Sequence, residues 1–200
     1  MKELLIIHTH QKYEGISEGK LNETLSNVTK QLFENANWNM EQTFISNGYN
    51  LKNEVEKHLK ADLVIIHTPI FWFNTPWIHK KYVDEVFMEG LVSNVMLDGD
   101  GRTRSDISKQ YGTGGFLRDK KVFVVATWNA PENCFDDVSQ QLMKGKNADD
   151  VLFNVILNYR FCGFQDLPNY HCFDVIKNPK VKEYVDNYKE YLKSIIDNFR

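Results

Sequence analysis

The stretch from Asp62 to Trp77, D-L-V-I-I-H-T-P-I-F-W-F-N-T-P-W, decides the architecture of the chain. Leu63-Val64-Ile65-Ile66 is an uninterrupted apolar run, the pattern of a strand covered on both faces in a parallel sheet. Beyond its carboxyl end come Pro69, Ile70, Phe71, Trp72 and Phe73, more aromatic surface than a water-facing connection needs. Thr75-Pro76 then reads as a helix start, with Thr75 as the cap and Pro76 in the first helical position, where its missing N–H is harmless. The unit is strand, aromatic loop, helix. Ligands of open α/β sheets lie in the crevice beyond the strands' carboxyl ends, and an aromatic-walled loop there suits a large planar heterocycle.

The same unit repeats on either side. Toward the N-terminus, Leu4-Leu5-Ile6-Ile7 marks a second doubly buried strand over Glu3 to His8. A polar, glycine-bearing segment (9–20) leads from it into a helix whose Leu21, Leu25, Val28 and Leu32 recur at helical spacing. That helix start offers unpaired amides and the positive end of the macrodipole, with Ser17, Asn22 and Thr24 nearby as short polar side chains suited to phosphate oxygens. The plainer reading is that Ser17 or Gly19 simply caps the helix. Met40 to Ser46 reads as a shorter strand near the sheet edge, and Leu51, Val55 and Leu59 as a short helix.

Toward the C-terminus, Ile78, Tyr82, Val86 and Phe87 predict a helix over Trp77 to Glu89, with Gly90 as its C-terminal cap. Residues 91–120 then break the alternation, and a connection of that length is usually functional or disordered. Asp98 and Asp100 begin like a calcium loop, but its sixth position requires glycine and holds Thr103, so no metal site is assigned. Gly112-Thr113-Gly114-Gly115 lacks the G-K-[ST] of a phosphate-binding loop, and Leu117 stands where a dinucleotide fingerprint needs its third glycine. Val122 to Thr127 is the next strand, running into Trp128, Asn129, Ala130 and Pro131. A helix from about Asp149 closes near Gly163; a fifth strand, interrupted by Pro168, falls within Phe164 to Ile176. The last helix opens at Asn178-Pro179, and its tyrosines, at helical spacing, read as packing residues.

The sum is a doubly wound α/β fold: five parallel strands with helices on both faces, one domain over residues 1–200 with a long insertion at 91–120. With 42% hydrophobic and 26% charged residues and a formal net charge of −3, the chain is an ordinary globular protein with no electrostatic footprint for nucleic acid. No apolar run approaches a signal peptide's core or a membrane span, so a cytoplasmic location is expected. Cys134, Cys162 and Cys172 are odd in number and lack C-x-x-C spacing, which points to free thiols. His8 and His67 fall at strand carboxyl ends but share no metal-ligand spacing, and read as structural.

The motifs P-I-F-W-F-N-T-P-W-I-H-K-K-Y-V-D-E-V-F, D-G-R-T-R, Y-G-T-G-G and T-W-N-A-P resemble the modulator of drug activity B family of bacterial flavoproteins. More distantly, the P-x-x-W-F loop and F-C-G-F-Q (Phe161 to Gln165) are similar to the mammalian-type NAD(P)H:quinone oxidoreductases. The resemblance extends from residue 17 to about residue 176. It implies a flavodoxin-like fold with strand order 2-1-3-4-5, noncovalent FAD, NADPH or NADH as hydride donor, a quinone acceptor served by ping-pong exchange at one flavin face, and a homodimer. It places the flavin's ribityl and phosphate groups on Ser17, Glu18, Gly19, Lys20, Leu21, Asn22, Glu23 and Thr24, and its ring against Pro69, Ile70, Phe71, Trp72 and Phe73. The second wall is Thr127, Trp128, Asn129 and Ala130, with Tyr111 beside the flavin and the insertion large enough to cover an FAD. His8 matches a flavin-contacting histidine of the mammalian-type enzymes only. A glycine-rich turn that precedes their quinone-site tyrosine and histidine is replaced by T-W-N-A-P-E-N-C-F, so no catalytic side chain is assigned. The competing readings are an FMN-binding flavodoxin-type electron carrier and an ancillary flavoprotein subunit of an ion-efflux system.

Overall fold

In the computed structural model, residues 1–199 are described. Strands β1 (Glu3–His8), β2 (Asn39–Phe44), β3 (Leu63–Pro69) and β4 (Lys121–Thr127) alternate with helices α1 (Lys20–Asn35), α2 (Leu51–Lys60), α3 (Trp77–Val92) and α4 (Ala148–Phe161). Two short strands, β5 (Gln165–Asp166) and β6 (Tyr170–Cys172), and helix α5 (Val181–Asp197) complete it. The sheet is parallel with the order β2-β1-β3-β4-β5, and β6 continues along the same edge of β4. This is the flavodoxin-like topology.

The apolar runs work because every side chain in them has somewhere dry to go. Leu5, Ile7, Val64, Ile66, Val122 and Val124 face α2, α3 and α4, where Val55, Tyr82, Val86, Leu152 and Tyr159 meet them. Leu4, Ile6, Leu63, Ile65, Phe123 and Val125 face α1 and α5, against Leu25, Phe33, Tyr188 and Leu192. Period-two geometry thus sends alternate residues of one continuous hydrophobic run into two cores. The tyrosines of α5 are packing residues: Tyr184 and Tyr188 are buried, and the Tyr188 hydroxyl pairs with Thr29 Oγ1 at 2.8 Å.

Three local expectations shift. Thr75 is not the cap of α3; Pro76 holds that position, and Thr75 Oγ1 instead meets Nδ1 of buried His79 at 3.0 Å. Gly90 does not end α3, which runs to Val92; Gly90 is buried, and a Cβ there would lie 2.4 Å from Met96 Sδ. The helix ends instead at Asn94, φ 54°, with Val95 N–H donating to Gly90 O and Asn94 N–H to Leu91 O, the Schellman pattern. The interruption at Pro168 divides the fifth strand in two, and Asn169 bridges the gap: its Oδ1 accepts from Val124 N–H at 2.7 Å, standing in for a strand carbonyl.

Candidate functional site

The register that pairs His8 with His67 and Pro69 with Thr127 brings the loops after β1, β3 and β4 together beyond the sheet's carboxyl edge. Short bonds tie them to one another. Thr9 N–H donates to His67 O (3.0 Å), Thr9 Oγ1 to Thr68 Oγ1 (2.7 Å), and Ile70 N–H to Thr127 O (2.9 Å). Asn22, in the first turn of α1, is buried and donates from Nδ2 to Thr127 Oγ1 at 3.0 Å. Two residues picked out separately in the sequence are therefore in direct contact, 105 positions apart.

The loop after β1 folds on itself through paired Tyr13 and Ser17 backbone bonds, with His10 Nε2 lying 3.2 Å from Ser17 O. It enters α1 through Gly19 at φ +78°, where a side chain would be strained and its Cβ would sit 2.7 Å from the His10 ring. The N-cap position thus falls to a residue with no side chain, and no side chain caps α1. Ser17 Oγ is turned to His10 instead, 3.3 Å away. The amides of Lys20, Leu21 and Asn22 have no hydrogen-bond partner among the described residues at the positive end of α1, the arrangement that receives anions. Leu21 packs against the core, Glu23 is exposed, and Thr24 returns its hydroxyl to Lys20 O, so the receptive groups are the amides and Asn22. On the rim, Glu18 pairs with Lys12 at 3.3 Å, and the Gly15 N–H together with Lys12 holds its carboxyl below the usual value.

The loop after β3 is a tight reversal, with backbone bonds exchanged between Phe71 and Asn74. Its two central residues, Trp72 (φ 52°) and Phe73 (φ 61°), lie in the left-handed region, where a non-glycine residue costs about 1–2 kcal/mol. Trp72 is 94% exposed and Phe73 half-exposed, so packing does not compensate that strain. Strain kept at an exposed aromatic points to a ligand contact. Phe71 meets Tyr13 edge-on at 5.4 Å, closing the crevice between the first two loops.

The turn after β4 behaves differently. Trp128 is buried, its ring against Phe135 and Phe173 and its Nε1–H donating to His171 Nδ1 at 3.1 Å. Its ring is therefore packed rather than presented, and what the turn exposes is its backbone and Asn129. The amides of Asn129 and Ala130 have no hydrogen-bond partner among the described residues. Below the loops, His8 stacks on Phe44 with ring centroids 4.0 Å apart, and burial pushes its pKa down to about 4. His67 is lowered further by burial and by His8, so this floor is neutral.

Tyr111 is not brought to this crevice. It packs on Phe161, at the end of α4 that leads into β5 and the start of β4, on the opposite edge of the sheet. Leu117 N–H bonds to Cys162 O there, so the packed part of the insertion covers the far end of its own chain. Conversely, Thr9, Gln11, Tyr13 and Thr68 join the site without having been singled out; the one available signal was that they follow or end doubly buried strands.

Two acceptors at the site, Asn22 Oδ1 and Gln11 Oε1, are buried without partners among the described residues. Buried polar atoms are normally satisfied. Free amides at a helix start, unsatisfied acceptors, further free amides in a second turn and an exposed aromatic wall fit a group with phosphate, hydroxyls and a flat heteroaromatic ring. A flavin has these parts. The fold and crevice together define a flavodoxin-like protein.

The comparisons agree. The family model for the flavodoxin-like fold matches residues 2–195. The chain is 35% identical over 181 residues to the NADPH:quinone oxidoreductase MdaB of Haemophilus influenzae, covering 90% of this chain and 93% of that one. It therefore belongs to the flavodoxin-like family and, within it, to the modulator of drug activity B group of quinone oxidoreductases. Among solved structures, an NAD(P)H:quinone oxidoreductase from Methanothermobacter marburgensis superposes with a TM-score of 0.66 at 13% identity, covering 94% of this chain and 96% of that one. General stress protein 14 of Treponema denticola, solved in complex with FMN, gives 0.65 at 16% identity over 100% of both chains. At those identities the likeness is one of fold.

Proposed function

We propose that this chain is an NAD(P)H:quinone oxidoreductase that binds FAD noncovalently and serves NADPH or NADH and a quinone in turn. The observation that carries the reading is the set of unsatisfied groups converging from two connections on one crevice: the α1 amides and Asn22 Oδ1 after β1, and the Asn129 and Ala130 amides after β4. Lys20 to Asn22 would hold phosphate and ribityl oxygens through backbone amides, with Asn22 Oδ1 accepting from a hydroxyl. Asn129 and Ala130 would donate to the ring's carbonyl edge, and Trp72 and Phe73 would lie against its plane. A bound flavin supplies reversible two-electron hydride exchange, and the protein supplies position and polarity. No side chain is needed as acid or base; the loops' task is to leave one ring face open to each substrate in turn.

Homodimer formation belongs to the same proposal. Trp72, Phe73 and Trp77 leave aromatic surface exposed beside the crevice, and exposed apolar patches usually mark binding surfaces. Tyr111 lies too far from its own crevice to touch a ligand there, so a second copy would have to present it. The same placement gives the FMN reading its support, because an insertion that covers the far end does not shield an adenine half within its own chain.

Boiling the yellow purified protein and chromatographing the supernatant should release FAD. Released FMN overturns that choice, and a chain that takes up no flavin overturns the whole reading. Initial rates with NAD(P)H and menadione should give parallel lines, whereas intersecting lines would mean that both substrates are bound together. Light scattering should report twice the 23.4 kDa chain mass.

A further inference from the structure

The turn after β4 is held from behind by a side-chain relay that ends on an aspartate. Trp128 Nε1–H donates to His171 Nδ1 (3.1 Å), and His171 Nε2 lies 2.9 Å from Asp149 Oδ1. An indole can only donate, so Nδ1 must be the acceptor and the imidazole proton sits on Nε2, pointing at the carboxylate. The two partners together dictate one neutral tautomer. Asp149 also accepts from Asn169 Nδ2 at 2.8 Å, and Asn169 is the residue that bridges to β4. The His171 bond, aided by Asn169 and opposed by burial, holds the Asp149 carboxyl below its usual value. A capping box at Asn147 and Asp150 fixes the start of α4, and with it the aspartate.

The backbone of the turn is anchored on the same side. Trp128 N–H donates to Cys172 O (2.8 Å), Val175 N–H to Trp128 O (3.0 Å) and Asp174 N–H to Ala130 O (2.9 Å). These bonds take the Trp128 N–H and the Trp128 and Ala130 carbonyls, while the amides of Asn129 and Ala130 remain for the crevice. Partners one step removed from a ligand act by fixing the groups that touch it.

We propose that Asp149, His171 and Trp128 are positioning residues that set the orientation of the Asn129 and Ala130 amides toward the flavin ring. This inference rests on the flavin-binding reading above. None of the three touches the ring; the relay acts by denying Trp128 any other rotamer. Losing it should weaken flavin binding about tenfold, by analogy with the lower end of what outer-shell hydrogen bonds contribute to metal affinity. The flavin's reduction potential should shift as well, since those amides would face the ring's carbonyl edge.

The test uses the full chain and three substitutions, with FAD titrated by fluorescence quenching. Trp128→Phe keeps a smaller aromatic ring and removes the N–H; His171→Leu removes both bonds; His171→Gln keeps one acceptor and one donor nearly as far apart as the ring nitrogens. Trp128→Phe and His171→Leu should each raise the FAD dissociation constant about tenfold, and His171→Gln should restore most of the loss. In the flavin-free protein the Trp128 indole proton should exchange slowly, exchange fast in His171→Leu and slow again in His171→Gln. If wild type binds no flavin, the underlying reading fails, and the proton exchange still reports whether the relay exists. If wild type binds and all three variants match it, or if His171→Gln is as weak as His171→Leu, the positioning role is overturned.

Discussion

Two loops of this protein place a tryptophan just past a buried parallel strand, and they treat it in opposite ways. Trp72 beyond β3 is 94% exposed in a left-handed, strained conformation with no packing partner to compensate it. Trp128 beyond β4 is 1% exposed, ringed by Phe135, Phe173 and His171, and hydrogen-bonded. One site wall is built by presenting a side chain and the other by hiding one, so that its backbone amides are presented instead. A receptor for a flat ring with a polar edge needs both: an apolar surface for the face and fixed donors for the edge.

The largest effect that separates the loops should come from truncation. Trp128→Ala should cost the flavin-free protein about 3–5 kcal/mol in chemical denaturation, as for other buried aromatics cut to alanine. Trp72→Ala should lie within about 0.5 kcal/mol of wild type, the range of exposed substitutions. Equal losses would erase the distinction between the two loops.

Acid should act through the buried histidines, His58 and His79 together with His8 and His67, and not through the exposed tryptophan. Burial lowers His58 and His79 from 6.5 to about 4, with the coulombic influence of His58 adding to the effect on His79. The native state then binds fewer protons than the unfolded chain, so this stability is complete above pH 6.5 and is lost as pH falls toward 4. The shift of 6.5 − 4 = 2.5 corresponds to about 3 kcal/mol for each ring. Denaturation curves at pH 7 and pH 4.5 should differ accordingly, and by the same amount in Trp72→Ala. A His58→Gln, His79→Gln double variant that keeps the full pH dependence would assign it elsewhere.

In flavin affinity, unlike stability, the exposed loop should count too. Trp72→Ala should weaken FAD binding by about 1–3 kcal/mol, the worth of stacking a base on an aromatic side chain. An unchanged dissociation constant would leave the exposed strain without a use. The smallest effect is the most diagnostic of that strain: Trp72→Gly should stabilise the flavin-free protein by about 1 kcal/mol, because glycine enters the left-handed region freely, offset in part by the greater freedom of glycine in the unfolded chain.

The sequence by itself determined the layered sheet. Leu4 to Ile7, Leu63 to Ile66 and Val122 to Ala126 are apolar without alternation, and such a run is satisfied only where both faces are covered, which requires parallel strands with helices on each side. It also placed the crevice, since the ends of those strands and the loops after them can be read in order along the chain. Tertiary structure alone decided which side chains enter that crevice. Asn22 meets Thr127, and Trp128 meets His171 and Asp149, across separations that no local periodicity encodes. Whether a loop tryptophan turns out or in depends on whether a cavity and a hydrogen-bond acceptor await it. For Trp128 both are supplied by a strand and a helix that come later in the chain; Tyr111 was drawn to Phe161 at the far edge for the same kind of reason, a distant partner invisible from its own neighbours.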